Sequence, residues 1–331
     1  MASTGERTLS ALAEEAKTLC NIAMDAKEGG IEVGRLLAIG GYSTVFMAKT
    51  PGREHCVLKI PWLPPQALDE HPDVVDLGHG PLKIECLSPT GPFCLHAPTE
   101  GTEAEELLAS VAEKQLKNPS PRLAELYSIE ELGGVKTAVM EFVNANTLRW
   151  KIKYWPEEAK ELIGHLANSL LELHRTFGPH GDLKPNHIFL TNDGVKFIDP
   201  LVPNRWIGSI GYALPLLTED KDESLEKCMF MRDLGALAQM IAEMWGGSFH
   251  WDGRLIYLLV NQFNGRFGRG LNVDSVKQFM LDGTDTIDEP IRSWVREVGL
   301  ALWEKAMNPK SDDLDAEEKL LALIKELPQV S

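Results

Sequence analysis

The stretch that decides the fold reads His180-Gly181-Asp182-Leu183-Lys184-Pro185-Asn186-His187-Ile188-Phe189-Leu190. It follows a leucine-rich helical pattern and precedes the hairpin signal Asn192-Asp193-Gly194, whose second strand ends in Phe197-Ile198-Asp199-Pro200. Two acids, Asp182 and Asp199, are therefore expected at the ends of adjacent short strands, with a histidine and a lysine between them. Magnesium prefers one or two carboxylates together with substrate phosphates, and phosphoryl transfer also needs a cation on the phosphate and a group that orients the nucleophile. The stretch offers all three kinds of group.

Composition excludes several other classes of function. The chain has 331 residues, 44% apolar and 25% charged, which is ordinary globular usage. Its 49 acidic and 33 basic residues give a net charge of −16, which disfavours nucleic acid and anionic membranes as partners. No apolar run is long enough to span a bilayer, and the N-terminus does not resemble a secretory signal. The five cysteines are odd in number and never spaced CxxC, so we expect free thiols and a cytoplasmic location.

Periodicity and turn signals divide the chain into a helical extension over 1–30, a strand-rich lobe over 31–143 and a helical lobe over 144–331. In the first two of these we expect an amphipathic helix at 8–28, strands at 31–39, 44–49, 56–60, 123–129 and 135–143, and a helix at 103–116. Eight prolines make residues 61–100 a predicted loop-rich insertion. In the helical lobe, Pro156 begins a predicted helix that continues to Phe177, residues 230–245 form a buried helix, and helices over 287–327 close the chain.

Several motifs along the chain, in the order in which they occur, resemble those of the protein-kinase-like superfamily over roughly residues 31–245. Ala38-Ile39-Gly40-Gly41-Tyr42-Ser43-Thr44-Val45 resembles the glycine-rich loop, Val57-Leu58-Lys59 the lysine-bearing strand, and Val139-Met140-Glu141-Phe142-Val143 the hinge. His180-Gly181-Asp182 resembles the catalytic H-R-D, Ile198-Asp199-Pro200 the D-F-G, and Asp233-Leu234-Gly235-Ala236-Leu237 the helix whose aspartate anchors the catalytic loop. The resemblance implies an α+β, two-lobed protein-kinase-like fold with a small antiparallel-sheet N-lobe and a larger helical C-lobe.

The resemblance also implies a set of site residues for ATP and Mg²⁺. The glycine-rich turn would approach the phosphates, Lys59 would contact the α- and β-phosphates, and Asp199 would hold magnesium. Asp182 would orient a hydroxyl nucleophile and accept its proton, while Lys184 would neutralise charge on the transferred group. The nucleotide-binding set is Gly40, Gly41, Ser43, Val45, Lys59, Glu105, Glu141 and Val143. Glu105 is chosen over Glu103 and Glu106 as the helix acid that pairs with Lys59.

Two departures from the protein-kinase pattern concern the metal site and the control of activity. His187 occupies the position of the metal-binding asparagine, as in some antibiotic phosphotransferases, so we expect His187 to bind the metal, with Asn186 as the alternative. Gly181 replaces an arginine that in other kinases pairs with a phosphorylated activation loop. Between Asp199 and Tyr212 the one hydroxyl residue is Ser209, so control by activation-loop phosphorylation is not expected.

The sequence motifs are compatible with two classes of phosphoryl acceptor. Asp182-Leu183-Lys184-Pro185 and Gly208-Ser209-Ile210-Gly211-Tyr212-Ala213-Leu214-Pro215 resemble serine/threonine protein kinases, although Leu216 replaces the glutamate that closes this motif. Gly181, His187 and Pro200 resemble small-molecule kinases instead. The favoured function is Mg-ATP-dependent phosphorylation of serine or threonine in a protein. The alternatives are a small-molecule hydroxyl kinase and a pseudokinase that serves as a binding module.

Overall fold

The structure is a computed structural model that describes the chain in segments. These are residues 21–39, 43–61, 74–76, 81–86, 93–96, 101–201, 208–209, 223–246, 281–282, 284–289, 291–294 and 296–297. The predicted Gly40-Gly41 turn, the first part of the 8–28 helix and most of the closing helices over 287–327 lie outside the described residues.

Most strands lie in the first half of the chain and most helices follow residue 147. The strands are β1 (Glu32–Ile39), β2 (Ser43–Thr50), β3 (Arg53–Pro61), β4 (Val74–Asp76), β5 (Pro81–Cys86), β6 (Phe93–His96), β7 (Leu126–Leu132), β8 (Val135–Glu141), β9 (Asn146–Thr147), β10 (Ile188–Thr191), β11 (Gly194–Phe197) and β12 (Gly208–Ser209). The helices are α1 (described over residues 21–28), α2 (Gly101–Lys117), α3 (Leu148–Tyr154), α4 (Pro156–Glu161), α5 (Ile163–Thr176), α6 (Glu223–Met244) and α7 (Ile291–Trp294).

The N-lobe is a five-stranded antiparallel sheet with the strand order β1-β2-β3-β8-β7. Alternate residues of its strands point to opposite faces, and each face is covered by a helix. On one face, Ile22 and Ala26 of α1 are buried with sheet residues Ala48, Cys56, Leu58, Ile60, Leu132, Val135 and Val139. On the other face, Leu108 and Ala112 of α2 pack against Val57, Leu126, Ile129, Ala138 and Met140. The described part of the N-terminal extension therefore contributes to the N-lobe core through Ile22 and Ala26.

Strand β7 begins three residues later than the predicted strand over 123–129. Residues 122–124 pair with the C-lobe instead, because the Phe197 amide donates to the Arg122 carbonyl at 2.7 Å and the Ala124 amide donates to the Phe197 carbonyl at 2.9 Å. Leu123 and Phe197 form a parallel bridge between these two bonds. Periodicity alone predicted a single strand here because both halves bury apolar side chains.

The C-lobe is built from helices around a small sheet. The predicted hairpin is confirmed, with Thr191 opposite Gly194, and β9 adds a third strand in the order β11-β10-β9. The predicted helix over 156–177 is confirmed in type, but it divides at Leu162 into α4 and α5. The predicted buried helix over 230–245 is confirmed, because α6 is buried over residues 231–244. Among the described helices, none has the length and apolar character that a membrane span requires.

The interpretation of residues 61–100 as loop was wrong in part. They contribute β4, β5 and β6, which form an antiparallel meander. Strand β12 extends this sheet, with Gly208 opposite Leu95 and Ser209 opposite Cys94. The prolines misled the prediction, because Pro81 stands at the first position of β5, where a missing N–H is tolerated.

Docking of α1 on the sheet can be tested at Gly133, which has φ +59 and donates its amide to Asp25 Oδ2 at 2.6 Å. We predict that Gly133→Ala lowers the free energy of unfolding by about 2 kcal/mol or more. The reason is that the added Cβ would lie 2.9 Å from the backbone nitrogen of Ile22 in α1. Gly134→Ala is the matched control, because Gly134 has φ +79 and no atom within 4 Å of its Cβ position. Urea unfolding of both variants measures the difference, and equal losses would contradict the docking of α1.

Candidate active site

The catalytic loop is anchored by Asp233, which lies on the buried helix α6 and is only 1% exposed. Its carboxylate accepts the backbone amides of His180 at 2.7 Å and of Gly181 at 2.9 Å. His174 Nε2 of α5 lies 3.0 Å from the same carboxylate. Because a buried carboxylate is destabilising without donors, these contacts fix the start of the loop to α6. This is the place that the resemblance assigned to Asp233.

Gly181 explains one departure from the kinase pattern in physical terms. Its φ of +81 lies in the left-handed region that side chains other than glycine rarely adopt. A Cβ at this position would also lie 2.1 Å from Met229 Cε and 3.4 Å from Leu201 Cβ. An arginine here would therefore require a different loop conformation.

His180 joins the catalytic loop to the end of β11. Its Nε2 donates to the Ile198 carbonyl at 2.8 Å, and its Nδ1 then accepts the Asp182 amide at 3.3 Å. The ring is fully buried, and this burial lowers the pKa of His180, so the imidazole is neutral. The Leu201 amide donates to the His180 carbonyl at 2.7 Å, which ties the chain after Asp199 to the same loop.

Lys59 and Asp199 form an ion pair between the two lobes. Lys59 Nζ, from β3, lies 2.8 Å from Asp199 Oδ1, and the two side chains are 16% and 31% exposed. Burial alone would raise the pKa of Asp199, but the charge and hydrogen bond of Lys59, together with contributions from His187 and Lys184, outweigh it and the pKa falls to about 2. Asp199 has φ 57, an uncommon conformation for a residue other than glycine, and such strain is often stored at functional sites.

His187 lies beside Asp199, with Nε2 3.9 Å from Asp199 Oδ2. Its Nδ1 lies 3.0 Å from the carbonyl oxygen of Asp182, which can only accept, so the ring proton is on Nδ1. Burial, reinforced by the charge of Lys184, lowers the pKa of His187 to about 3. A neutral ring with its lone pair on Nε2, next to a carboxylate, has the donor chemistry of a metal ligand pair.

Asn186, the alternative metal ligand, is directed elsewhere. It is exposed, and its side-chain oxygen accepts from Arg149 Nε of α3 at 3.3 Å. Arg149 also contacts Glu243 of α6, with Nη1 3.1 Å from Oε2. The geometry therefore favours His187 as the partner of Asp199. Within the described segments, no group of three or more His, Cys, Asp or Glu residues is arranged to hold a metal by protein ligands alone.

Asp182 and Lys184 lie on the other side of the His187 ring. Lys184 Nζ lies 3.2 Å from Asp182 Oδ2, and His187 Nδ1 lies 3.6 Å from the same oxygen. Both residues are buried, at 8% and 9% exposure. The structure thus brings five of the predicted site residues into one cluster, namely Lys59, Asp182, Lys184, His187 and Asp199.

The structure describes the remaining predicted site residues only in part. Val45 lies opposite Lys59 on β2, and Ser43 is buried at the start of that strand. Glu141 ends β8 and Val143 follows it in the connection to the C-lobe. Gly40 and Gly41 lie outside the described residues. Glu105 lies on α2, but its side chain and that of Glu103 are outside the described part, while Glu106 is exposed.

Sequence reasoning missed Lys196 and Arg149. Lys196 lies on β11 and contacts Glu141 Oε2, and Arg149 Nε donates a hydrogen bond to the side-chain oxygen of Asn186. Lys196 alternates with the buried residues Val195 and Phe197, so the sequence predicts no more than a side chain on the outer face of a hairpin. No local signal identifies its partner, which is 55 residues away.

Two solved structures are similar to this chain over most of its length. One is "PpkA-294 apo form", with a TM-score of 0.51 at 14% identity, covering 88% of this chain and 96% of that chain. The other is the kinase domain of PknI from Mycobacterium tuberculosis, a point mutant, with a TM-score of 0.49 at 13% identity, covering 90% of this chain and 95% of that chain. A scan of protein-family models and a search of curated proteins each find no match.

The first likeness and the layout described above show the fold. The chain has the two-lobed, α+β protein-kinase-like fold that the motifs predict, with an antiparallel sheet in the N-lobe and helices in the C-lobe. At 14% identity the likeness concerns the fold, so activity must be argued from the residues of the site.

The anchoring role of Asp233 can be tested by Asp233→Asn. The carboxamide can accept with one oxygen only, so one of the two buried backbone amides loses its acceptor. We predict a loss of about 2–4 kcal/mol in the free energy of unfolding. Asp193→Asn, in the exposed turn of the hairpin, is the control and should change stability by less than about 0.5 kcal/mol. Chemical denaturation of both variants makes the comparison, and equal stabilities would contradict the anchor.

Proposed function

We propose that this protein is an ATP-dependent phosphotransferase that uses Mg²⁺. The observation that carries the proposal is the cluster in which Lys59 of the N-lobe sheet meets Asp199 at 2.8 Å, beside His187, Asp182 and Lys184 of the C-lobe. A cation, a metal ligand pair and a carboxylate for the acceptor are the groups that phosphoryl transfer requires. Their convergence on one cleft supports the enzymatic function more strongly than the fold does.

The donor set fits the proposed metal. Asp199 supplies a carboxylate, and His187 supplies the lone pair on Nε2, so the phosphate oxygens of the nucleotide would complete the coordination. Bound there, magnesium would draw negative charge from the phosphate oxygens and orient them. Lys59 Nζ, which pairs with Asp199 in this structure, would contact the phosphates as a point charge.

Two further residues would act on the acceptor. A carboxylate oxygen of Asp182 would orient the attacking hydroxyl and accept its proton. Lys184 Nζ, 3.2 Å from Asp182 Oδ2, would stabilise charge on the transferred group. On the nucleotide side, the backbone at Glu141 and Val143 would bind the base, and the turn with Gly40, Gly41, Ser43 and Val45 would cover the phosphates.

We propose a serine or threonine hydroxyl of a protein as the acceptor. Support comes from the Asp182-Leu183-Lys184-Pro185 sequence and from the kinase-like segment that begins at Gly208. A small-molecule hydroxyl is the second candidate, and the observation that favours it is the placement of His187, in place of an asparagine, beside Asp199.

A phosphotransfer assay with labelled ATP and both kinds of acceptor separates the two candidates. Transfer of labelled phosphate to lysate proteins supports the first, and transfer to hydroxyl-bearing antibiotics supports the second. Nucleotide binding without transfer to either would support a pseudokinase.

Asp182→Asn tests the role of the carboxylate. We predict that turnover falls at least 100-fold, because the general base is lost, while the affinity for Mg-ATP changes less than about twofold. Asp193→Asn serves again as the control and should keep wild-type turnover. A phosphotransfer assay and a nucleotide-binding titration give the two quantities. Turnover unaffected in Asp182→Asn would contradict the proposed catalysis.

His187 and Asn186 can be compared as metal ligands. We predict that His187→Ala abolishes metal-dependent nucleotide binding and that Asn186→Ala retains it, because only His187 lies beside Asp199. His187→Asn should retain activity with Mg²⁺ and raise the ratio of activity with Mg²⁺ to activity with Mn²⁺, because imidazole favours transition metals more than a carboxamide oxygen does. Titrations with each metal measure this. Loss of metal dependence in Asn186→Ala instead would reverse the assignment.

A further inference from the structure

Residues 122–125 connect the hinge to β11, the strand that precedes Asp199. On one side, Arg122 and Ala124 exchange backbone hydrogen bonds with Phe197 of β11, at 2.7 and 2.9 Å. On the other side, the Glu141 amide donates to the Glu125 carbonyl at 2.8 Å. Four consecutive residues thus link the end of β8 with the end of β11.

The side chain of Glu141 closes this connection directly. Its Oε2 accepts the backbone amide of Glu125 at 3.0 Å and also contacts Lys196 Nζ of β11. The side chains of Lys196 and Glu141 are 26% and 24% exposed, so the pair is shielded from most of the solvent. Partial burial makes such a pair less sensitive to screening than an exposed one.

The same end of β11 leads to the proposed metal ligands, Asp199 and His187. Lys196 precedes Asp199 by three residues, and between them the Ile198 amide donates to the His187 carbonyl at 3.0 Å. Arg122 is held in turn by α5, through its ion pair with Glu172 at 2.5 Å. A displacement of the hinge relative to β11 would therefore stretch the Lys196–Glu141 contact before it reached Asp199.

We infer that Lys196 is a positioning residue, which through Glu141 sets the spacing between the nucleotide-binding hinge and the cluster of Lys59, Asp199 and His187. The inference rests on the proposed function, because it assumes that a nucleotide contacts both places at once. Lys196 itself would contact neither the base nor the phosphates of that nucleotide.

The physical consequence concerns ligands of different length. A ligand that bridges two subsites gains affinity when the protein holds them at the matching distance, because less ordering remains to be done on binding. Adenosine would contact the hinge alone and would gain nothing from the spacing. A magnesium complex of an ATP analogue would contact both subsites and would lose affinity when the spacing is released.

The experiment compares these two ligands in the full chain. Dissociation constants for adenosine and for a non-hydrolysable ATP analogue with Mg²⁺ are measured in the wild type, Lys196→Met and Lys196→Arg. We expect Lys196→Met to weaken the magnesium–analogue complex about fivefold, with adenosine unchanged within about twofold. Methionine keeps the aliphatic stem, and Lys196→Arg should restore the wild-type ratio because it keeps the charge.

Two further variants make the comparison specific. Lys49→Met removes an exposed pair with Glu54, 3.5 Å long, and should leave the ratio of the two affinities unchanged. Glu141→Gln keeps an acceptor for the Glu125 amide but removes the charge, so it should reproduce the effect of Lys196→Met. In the double variant the loss should be no greater than in either single variant. If Lys196→Met does not fold, Glu141→Gln carries the test.

The outcomes distinguish this inference from the proposed function. Wild-type protein that binds both ligands, with an unchanged affinity ratio in Lys196→Met and Glu141→Gln, overturns the positioning role alone. Equal weakening of both ligands overturns it too, because that result indicates general loss of structure. Wild-type protein that binds neither ligand overturns the proposed function and the positioning role with it.

Discussion

The ion pair between Lys59 and Asp199 is the contact on which the site depends. The lysine belongs to the N-lobe sheet, and the aspartate follows the hairpin of the C-lobe, so the pair exists only when both lobes are folded and closed against each other. Neither charge is stable in a half-buried cleft without a partner. In this structure each charge satisfies the other. Under the proposed function, the nucleotide phosphates would take the place of Asp199 beside Lys59, and the magnesium ion would take the place of Lys59 beside Asp199.

The sequence predicted the elements whose signals are local. The hairpin at Asn192–Gly194 and the helix start at Pro156 depend on turn and cap chemistry within a few residues, and the structure has both. The boundary at residue 126 was wrong because residues 122–124 pair with a strand more than 70 positions later, and no local pattern encodes that choice. Likewise, the prolines of the 61–100 insertion indicated loop, and its strands were not predicted. Their pairing with the distant strand at Gly208–Ser209 leaves no local signal in the insertion.

The site residues, like the elements of the fold, were predictable where their signals are local in the sequence. Lys59, Asp182, Lys184, His187 and Asp199 were named from motifs, and the structure places them together, although their roles stay predictions. Lys196 and Arg149 could not be named, because their importance comes from contacts that the fold creates between distant segments. The pairing of Glu105 on α2 with Lys59 stays a prediction, because the side chain of Glu105 lies outside the described part of the structure.

The two departures from the kinase pattern are compatible with one intact site. Gly181 adopts a positive φ, and its amide donates to Asp233, so the loop is anchored without an arginine. His187 replaces a neutral carboxamide, but its ring is neutral as well, because burial lowers its pKa to about 3. The formal charge of the ligand pair is therefore the same as with asparagine, a single carboxylate at Asp199. What changes is the donor atom, from an amide oxygen to an imidazole nitrogen held in place by the Asp182 carbonyl. Since that carbonyl belongs to the residue proposed to orient the acceptor, the same short loop would set the geometry of both the proposed metal ligand and the proposed acceptor site.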